Sequence, residues 1–193
     1  MTRTAAITRA EKQFDSGEFR AMLARRIAIP TESQNPERGP VLAQYLDAEL
    51  QPAFVAMGFE CRTLTQPKAK APFLFAQRIE DPILPTVFGY GHGDVIRGLE
   101  PEWKEGLSPW TLTERDGRWY GRGIADNKGQ HSVNMQALAN VLAERGRLVG
   151  GGSGKRRNQQ RGEQQSADDF HGGLQYASIA QPVRSAARDA LQQ

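Results

Sequence analysis

Cysteine is nearly absent from this chain: Cys61 stands alone among 193 residues. An internal disulfide framework is therefore excluded. So is a thiolate metal site, and any metal must be held by histidine and carboxylate. Long apolar runs are missing as well. No stretch approaches the roughly 18 uncharged apolar residues of a membrane helix, and the opening residues MTRTAAITRAEKQF carry no apolar signal segment. A cytoplasmic chain with no membrane partner is the expectation. Charge of one sign is also scarce. The formal net charge is +3, and +2 of it falls after residue 150, so the body is nearly neutral. A nucleic-acid partner would need a basic face or stripe, so none is expected.

What is present suits one domain with a single core: 38% hydrophobic and 24% charged residues, with 20 glycines and 11 prolines. In FDSGEFRAMLARRIAIPTES, Asp15 stands three residues before Glu18, a capping-box spacing, and Phe19, Met22, Leu23 and Ile27 follow at helical intervals until Pro30. A second helix is predicted from Pro40, with Leu42, Tyr45, Leu46, Leu50 and Phe54 on one face and Gly58 as its stop. Pro52 should kink or divide it. Strands are predicted at 59–64, 73–79 and 86–90, the last (TVFGY) apolar enough to be buried on both faces. Cys61 then reads as a half-buried strand thiol.

Residues 111–120 read as a hairpin turning at Asp116-Gly117. A third helix follows from Asn127 to Arg145, with Val133, Ala137 and Val141 beside Met135, Leu138 and Leu142 as its apolar positions and His131 expected to be partly exposed on it. The pattern is α/β, a helix-flanked mixed sheet. At residue 150 the character changes. Residues 150–169 contain no Val, Ile, Leu, Met, Phe, Trp or Tyr, so no buried strand can be drawn there. The division expected is a body over 1–149 and a polar, disordered tail over 150–193, with a short terminal helix in SAARDALQQ. GGGSGK within the tail is not a phosphate loop, because the first glycine of that motif would fall on Val149 and Arg156 follows Lys155.

Two clusters carry chemistry. TVFGY runs into Gly91-His92-Gly93-Asp94-Val95, and residues two apart in an extended chain point to one side. His92 and Asp94 therefore emerge together where a strand meets a loop. The pair suits a metal-bound imidazole oriented by a carboxylate, or equally a structural histidine beside a turn aspartate. The second cluster is GRGIADNKG at 121–129, with Asp126 just before the third helix, where an N-cap aspartate would also stand.

Taken together, GHGDV after an apolar strand and DGRWYGRGIADNKG before a helix resemble one family. It is the zinc-dependent metallopeptidase family of aminoacylases, dipeptidases, carboxypeptidases and acetylornithine or succinyl-diaminopimelate deacylases. The likeness covers roughly residues 14–148, including IPTES and Gly58-Phe59, and corresponds to the N-terminal part, the front half of a catalytic domain. It implies that His92 ligates one metal, that Asp126 bridges two, and that Asp94 supports His92 as an accessory catalytic residue. It also implies a cis peptide after Asp126. Two zinc ions, with cobalt or manganese as substitutes, would activate water against a peptide or N-acyl amino acid.

The resemblance further implies a buried strand with a Glu-Glu pair after the third helix, then another acidic ligand and a final histidine. The corresponding region here is the polar tract, with Gln159-Gln160 and Glu163. His171 and Asp168-Asp169 lack an apolar scaffold to position them. The expectation is a metal-dependent peptide or amide hydrolase that reads as truncated or frameshifted, with a sheet edge left open to self-association. The alternative is an inactive fragment or a pairing module.

Overall fold

The computed structural model describes residues 3–67, 69, 71–81, 87–148 and the strand 175–179. Gln159-Gln160, Glu163, Asp168-Asp169, His171 and the terminal helix expected in SAARDALQQ lie outside the described residues.

The first helix, α1 (Arg3–Asp15), was not expected. Asp15 is its last residue, and Gly17 at φ 79° turns the chain into α2 (Glu18–Ala28) without a side-chain cap. The capping box is thus corrected: the glycine's left-handed backbone makes the break, and Asp15 is already helical. Beyond Pro30, a 3₁₀ turn (Pro36–Arg38) leads into α3 (Gly39–Tyr45), a π turn (Leu46–Leu50) and α4 (Gln51–Ala56). Pro52 does divide this helix. Proline has no N–H to donate and its ring crowds the carbonyl four residues back, and the widened turn just before it lets the Gln51 N–H reach the Leu46 carbonyl instead. Gly58 at φ 77° ends the run.

The four-stranded sheet contains β1 (Glu60–Leu64), β2 (Phe73–Gln77), β3 (Phe88–His92) and β6 (Gln175–Ile179), in the order β1-β2-β6-β3. β1 runs antiparallel to β2, β2 parallel to β6, and β6 antiparallel to β3, so the sheet is mixed as expected. β6 comes from within the stretch 150–193, read from the sequence as a polar tail, and stands between β2 and β3. Five residues, QYASI, carry too little apolar pattern to announce a strand. A central strand is held by backbone hydrogen bonds on both sides, which composition does not register.

A second correction concerns β3. Phe88 is 62% exposed and Tyr90 48%, whereas Gly91 is buried, so among the described residues the strand is covered on one face only. An apolar run alone does not tell burial on two faces from an exposed apolar face. The hairpin forms as expected from β4 (Thr113–Arg115) and β5 (Arg118–Tyr120), with Asp116 and Gly117 both at positive φ, the pattern of a type I′ turn. Helix α5 (Lys128–Arg145) ends at Gly146, φ 69°.

One apolar core joins Leu42, Tyr45, Leu46, Leu50 and Phe54 of the divided helix to Phe59, Leu74, Ala76 and Met135. A smaller cluster sets Leu23 and Ile27 of α2 on Leu112. Cys61 is partly buried on β1, as its strand position suggested. The core-facing side of α5 differs from expectation. Beside Met135 it buries Lys128, His131, Ser132 and Asn140, while Val133 is 55% exposed.

Candidate metal centre

His92 is the last residue of β3, and the loop after it is held from the other side by the segment 31–33. Thr31 Oγ1 donates to the Gly93 carbonyl (2.5 Å), the Val95 N–H to the Thr31 carbonyl (2.9 Å), and the Ser33 N–H to the Val95 carbonyl (3.2 Å). Buried Glu32 accepts from the Gly98 N–H (2.7 Å) and pairs with Arg38 (3.3 Å). IPTES therefore clamps the loop that carries His92 and Asp94.

The imidazole stands between two carboxylates. Nδ1 lies 3.1 Å from Asp94 Oδ1 and 3.3 Å from the Asp94 carbonyl, and Nε2 lies 3.5 Å from Asp126 Oδ1. Both partners of Nδ1 are acceptors, so Nδ1 carries the hydrogen and Nε2 presents its lone pair toward Asp126. The hydrogen bond to Asp94 raises the His92 pKa above its ordinary value; burial opposes this and is outweighed. Burial pushes Asp94 upward, but hydrogen bonds from His92 and Ser33 hold its carboxyl below the usual value.

Asp126 arrives on the GRGIADNKG loop. Gly123 has φ 80°, and a Cβ on Gly129 would collide with the Ile124 carbonyl, so the loop folds back tightly on the start of α5. The Asp126–Asn127 peptide is cis, as the resemblance implied. Asn127, not Asp126, occupies the N-cap of α5, which leaves the Asp126 carboxylate 81% exposed beside His92. Asn127 Oδ1 accepts the His92 N–H (3.1 Å), and its Nδ2 donates to Gln130 Oε1.

Behind the loop lies a buried polar layer that the sequence did not announce. Lys128 Nζ donates to the carbonyls of Arg26 (2.8 Å) and Ile29 (2.6 Å) at the end of α2 and sits 4.9 Å from the centre of the Tyr45 ring. Burial lowers its pKa to about 7. Arg26 donates to Ser132 (2.6 Å), and Ser132 to the Lys128 carbonyl (2.5 Å). His131 is completely buried, a correction to its expected partial exposure, because a histidine with polar partners on both nitrogens can be enclosed where an unpaired one could not. Burial, reinforced by Arg26, lowers its pKa to about 3.

Two donors around one tetrahedral zinc, each about 2.0–2.2 Å from it, stand about 3.3–3.6 Å apart. The 3.5 Å between His92 Nε2 and Asp126 Oδ1 fits that spacing. Among the described residues no three histidine, cysteine or acidic side chains are arranged so that all could hold one metal ion. β6, QYASI, contributes no carboxylate, and Gln175 stands opposite His92 in the register. The pair fits one part of a metal site and leaves the remaining donors unassigned.

Parts of the sequence, and the fold, resemble those of known proteins. Residues 89–151 match the model of peptidase family M20/M25/M40, a span that holds His92, Asp94 and Asp126. Over 75 residues the chain is 40% identical to a cysteinylglycine-S-conjugate dipeptidase of Corynebacterium striatum, covering 37% of this chain and 16% of that protein. Over 75 residues it is 49% identical to the Beta-Ala-His dipeptidase of Mus musculus, covering 37% of this chain and 14% of that one. The crystal structure of human carnosine dipeptidase 1 shares the fold at TM-score 0.56 and 19% identity, over 91% of this chain and 34% of that chain. The chain thus resembles the metallopeptidases of this family, over a small part of their length.

Proposed function

We propose that His92, Asp94 and Asp126 form part of the metal centre of a metal-dependent hydrolase acting on peptide or related amide bonds, with zinc as the metal. The observation that carries the reading is the imidazole fixed at Nδ1 by Asp94 while Nε2 faces Asp126 at 3.5 Å. Zinc in such a site lowers the pKa of bound water and polarises a carbonyl. The residues of this chain hold and orient. His92 Nε2 offers a lone pair, Asp94 fixes the tautomer and raises the basicity of the ring, and exposed Asp126 is the carboxylate that two ions could share. A peptide or N-acyl amino acid is the substrate class, in keeping with the dipeptidases the chain resembles.

A second reading, a chain without turnover of its own, is favoured by one specific observation: among the described residues only two metal donors converge, with no glutamate base beside them. General acid-base assistance is worth about a hundredfold to ten-thousandfold. On this reading the chain should hydrolyse a dipeptide panel negligibly with added zinc, cobalt or manganese. Efficient turnover lost in both His92→Ala and Asp126→Ala would overturn the second reading and support a complete centre.

A further inference from the structure

We infer that His131, held by Tyr45, is a positioning residue that locks the backbone of His92 to the Asp126-Asn127 loop and so sets the spacing of the two metal donors. The inference rests on the metal reading of His92 and Asp126.

His131 Nδ1 lies 3.1 Å from the His92 carbonyl oxygen and 3.4 Å from Asn127 Oδ1. A carbonyl oxygen only accepts, so Nδ1 must carry the hydrogen. Nε2 of the neutral ring then has only a lone pair, and the Tyr45 hydroxyl 2.6 Å away must donate to it. Both side chains are wholly buried, and Lys128 Nζ sits 4.9 Å from the centre of the Tyr45 ring. The chain of contacts thus has one direction, from the Tyr45 hydroxyl through the ring to the carbonyl of His92.

Asn127 closes the circuit, because the same Oδ1 accepts the His92 N–H at 3.1 Å. His92 is gripped at both its N–H and its carbonyl, once by the neighbour of Asp126 and once by a residue one helical turn farther along α5. No such grip is needed merely to fill the core. A leucine would occupy the space but leave the His92 carbonyl without this donor.

The amide variants separate the two ends of the ring. Asparagine at 131 can place its N–H where Nδ1 stood, whereas glutamine extends toward Tyr45 and cannot serve the His92 carbonyl. In the full chain, His131→Gln should speed hydrogen exchange at the His92 amide about tenfold or more, and His131→Asn should stay within about threefold of the parent. The Val95 amide, bonded to Thr31, serves as control and should keep its protection in both variants. Zinc affinity by calorimetry should fall about ten- to hundredfold in His131→Gln, the usual effect of losing a group that orients a ligand. Long-range proton–nitrogen spectra of the parent, simplified by only three histidines, should show His131 as the Nδ1–H tautomer.

An Nε2–H tautomer would overturn the inference. So would an unchanged His92 amide in His131→Gln, or a loss of protection spread evenly over all amides, which would mark a structural role alone. If His131→Gln does not fold, the parent tautomer and the His92 amide in Tyr45→Phe decide. Equal zinc affinity in the parent and His92→Ala would sink the metal reading instead, leaving the exchange at His92 to judge the positioning.

Discussion

The divided helix α3–α4 and helix α5 both enter the interior, but they line it with opposite chemistry. The first buries Leu42, Leu46, Leu50 and Phe54, an apolar stripe that can slide or be repacked without leaving any polar group stranded. The second buries Lys128, His131 and Ser132, each with named hydrogen-bond partners. Polar groups out of water are costly unless their partners are in place, so this layer tolerates few arrangements. Tyr45 belongs to both layers: its ring packs in the apolar core and its hydroxyl serves His131. The difference assigns two tasks, with the apolar side holding the domain together and the polar side holding the His92 and Asp126 loops in register.

The largest expected effect tests the apolar side. Phe54 is wholly buried against Phe59, so Phe54→Ala should cost about 3–5 kcal/mol in urea unfolding. A cost below about 1 kcal/mol would mean that this layer is not the main source of stability. Next comes the polar side. Gly129→Ala would force a Cβ into the Ile124 carbonyl, and should cost about 1–3 kcal/mol while displacing the Asp126 loop. Unchanged resonances for residues 123–127 would break the link between loop geometry and helix start. The smallest effect belongs to the outer face of α5. Val133, 55% exposed, should accept Val133→Thr within about 0.5 kcal/mol by the same unfolding measurement. A larger loss would place Val133 in the core after all.

The apolar layer was legible in the sequence because hydrophobic periodicity reports it directly. Leu42, Tyr45, Leu46, Leu50 and Phe54 were placed on one face, and they share one core. The same rule misread α5, because burial there follows hydrogen bonding, which depends on residues far apart in sequence such as Arg26 with Ser132. The motifs singled out His92, Asp94 and Asp126, and the structure sets both carboxylates beside the His92 ring. Lys128 and His131 escaped as positioning groups, although the only signals, a lysine inside DNKG and a histidine four residues after Asn127, were present. β6 was missed because a strand held by two neighbours needs little pattern of its own.

The central claim is that His92 and Asp126 face one metal position, with Asp94 holding the ring. Zinc titration of the full chain, followed on the ring nitrogens of His92 by NMR and by calorimetry, tests it most directly. The account predicts that Nε2 takes the metal while Nδ1 keeps its hydrogen toward Asp94, with affinity weakened at least about tenfold in both His92→Ala and Asp126→Ala. Zinc binding that leaves the His92 nitrogens unmoved, or that survives both substitutions undiminished, would contradict it.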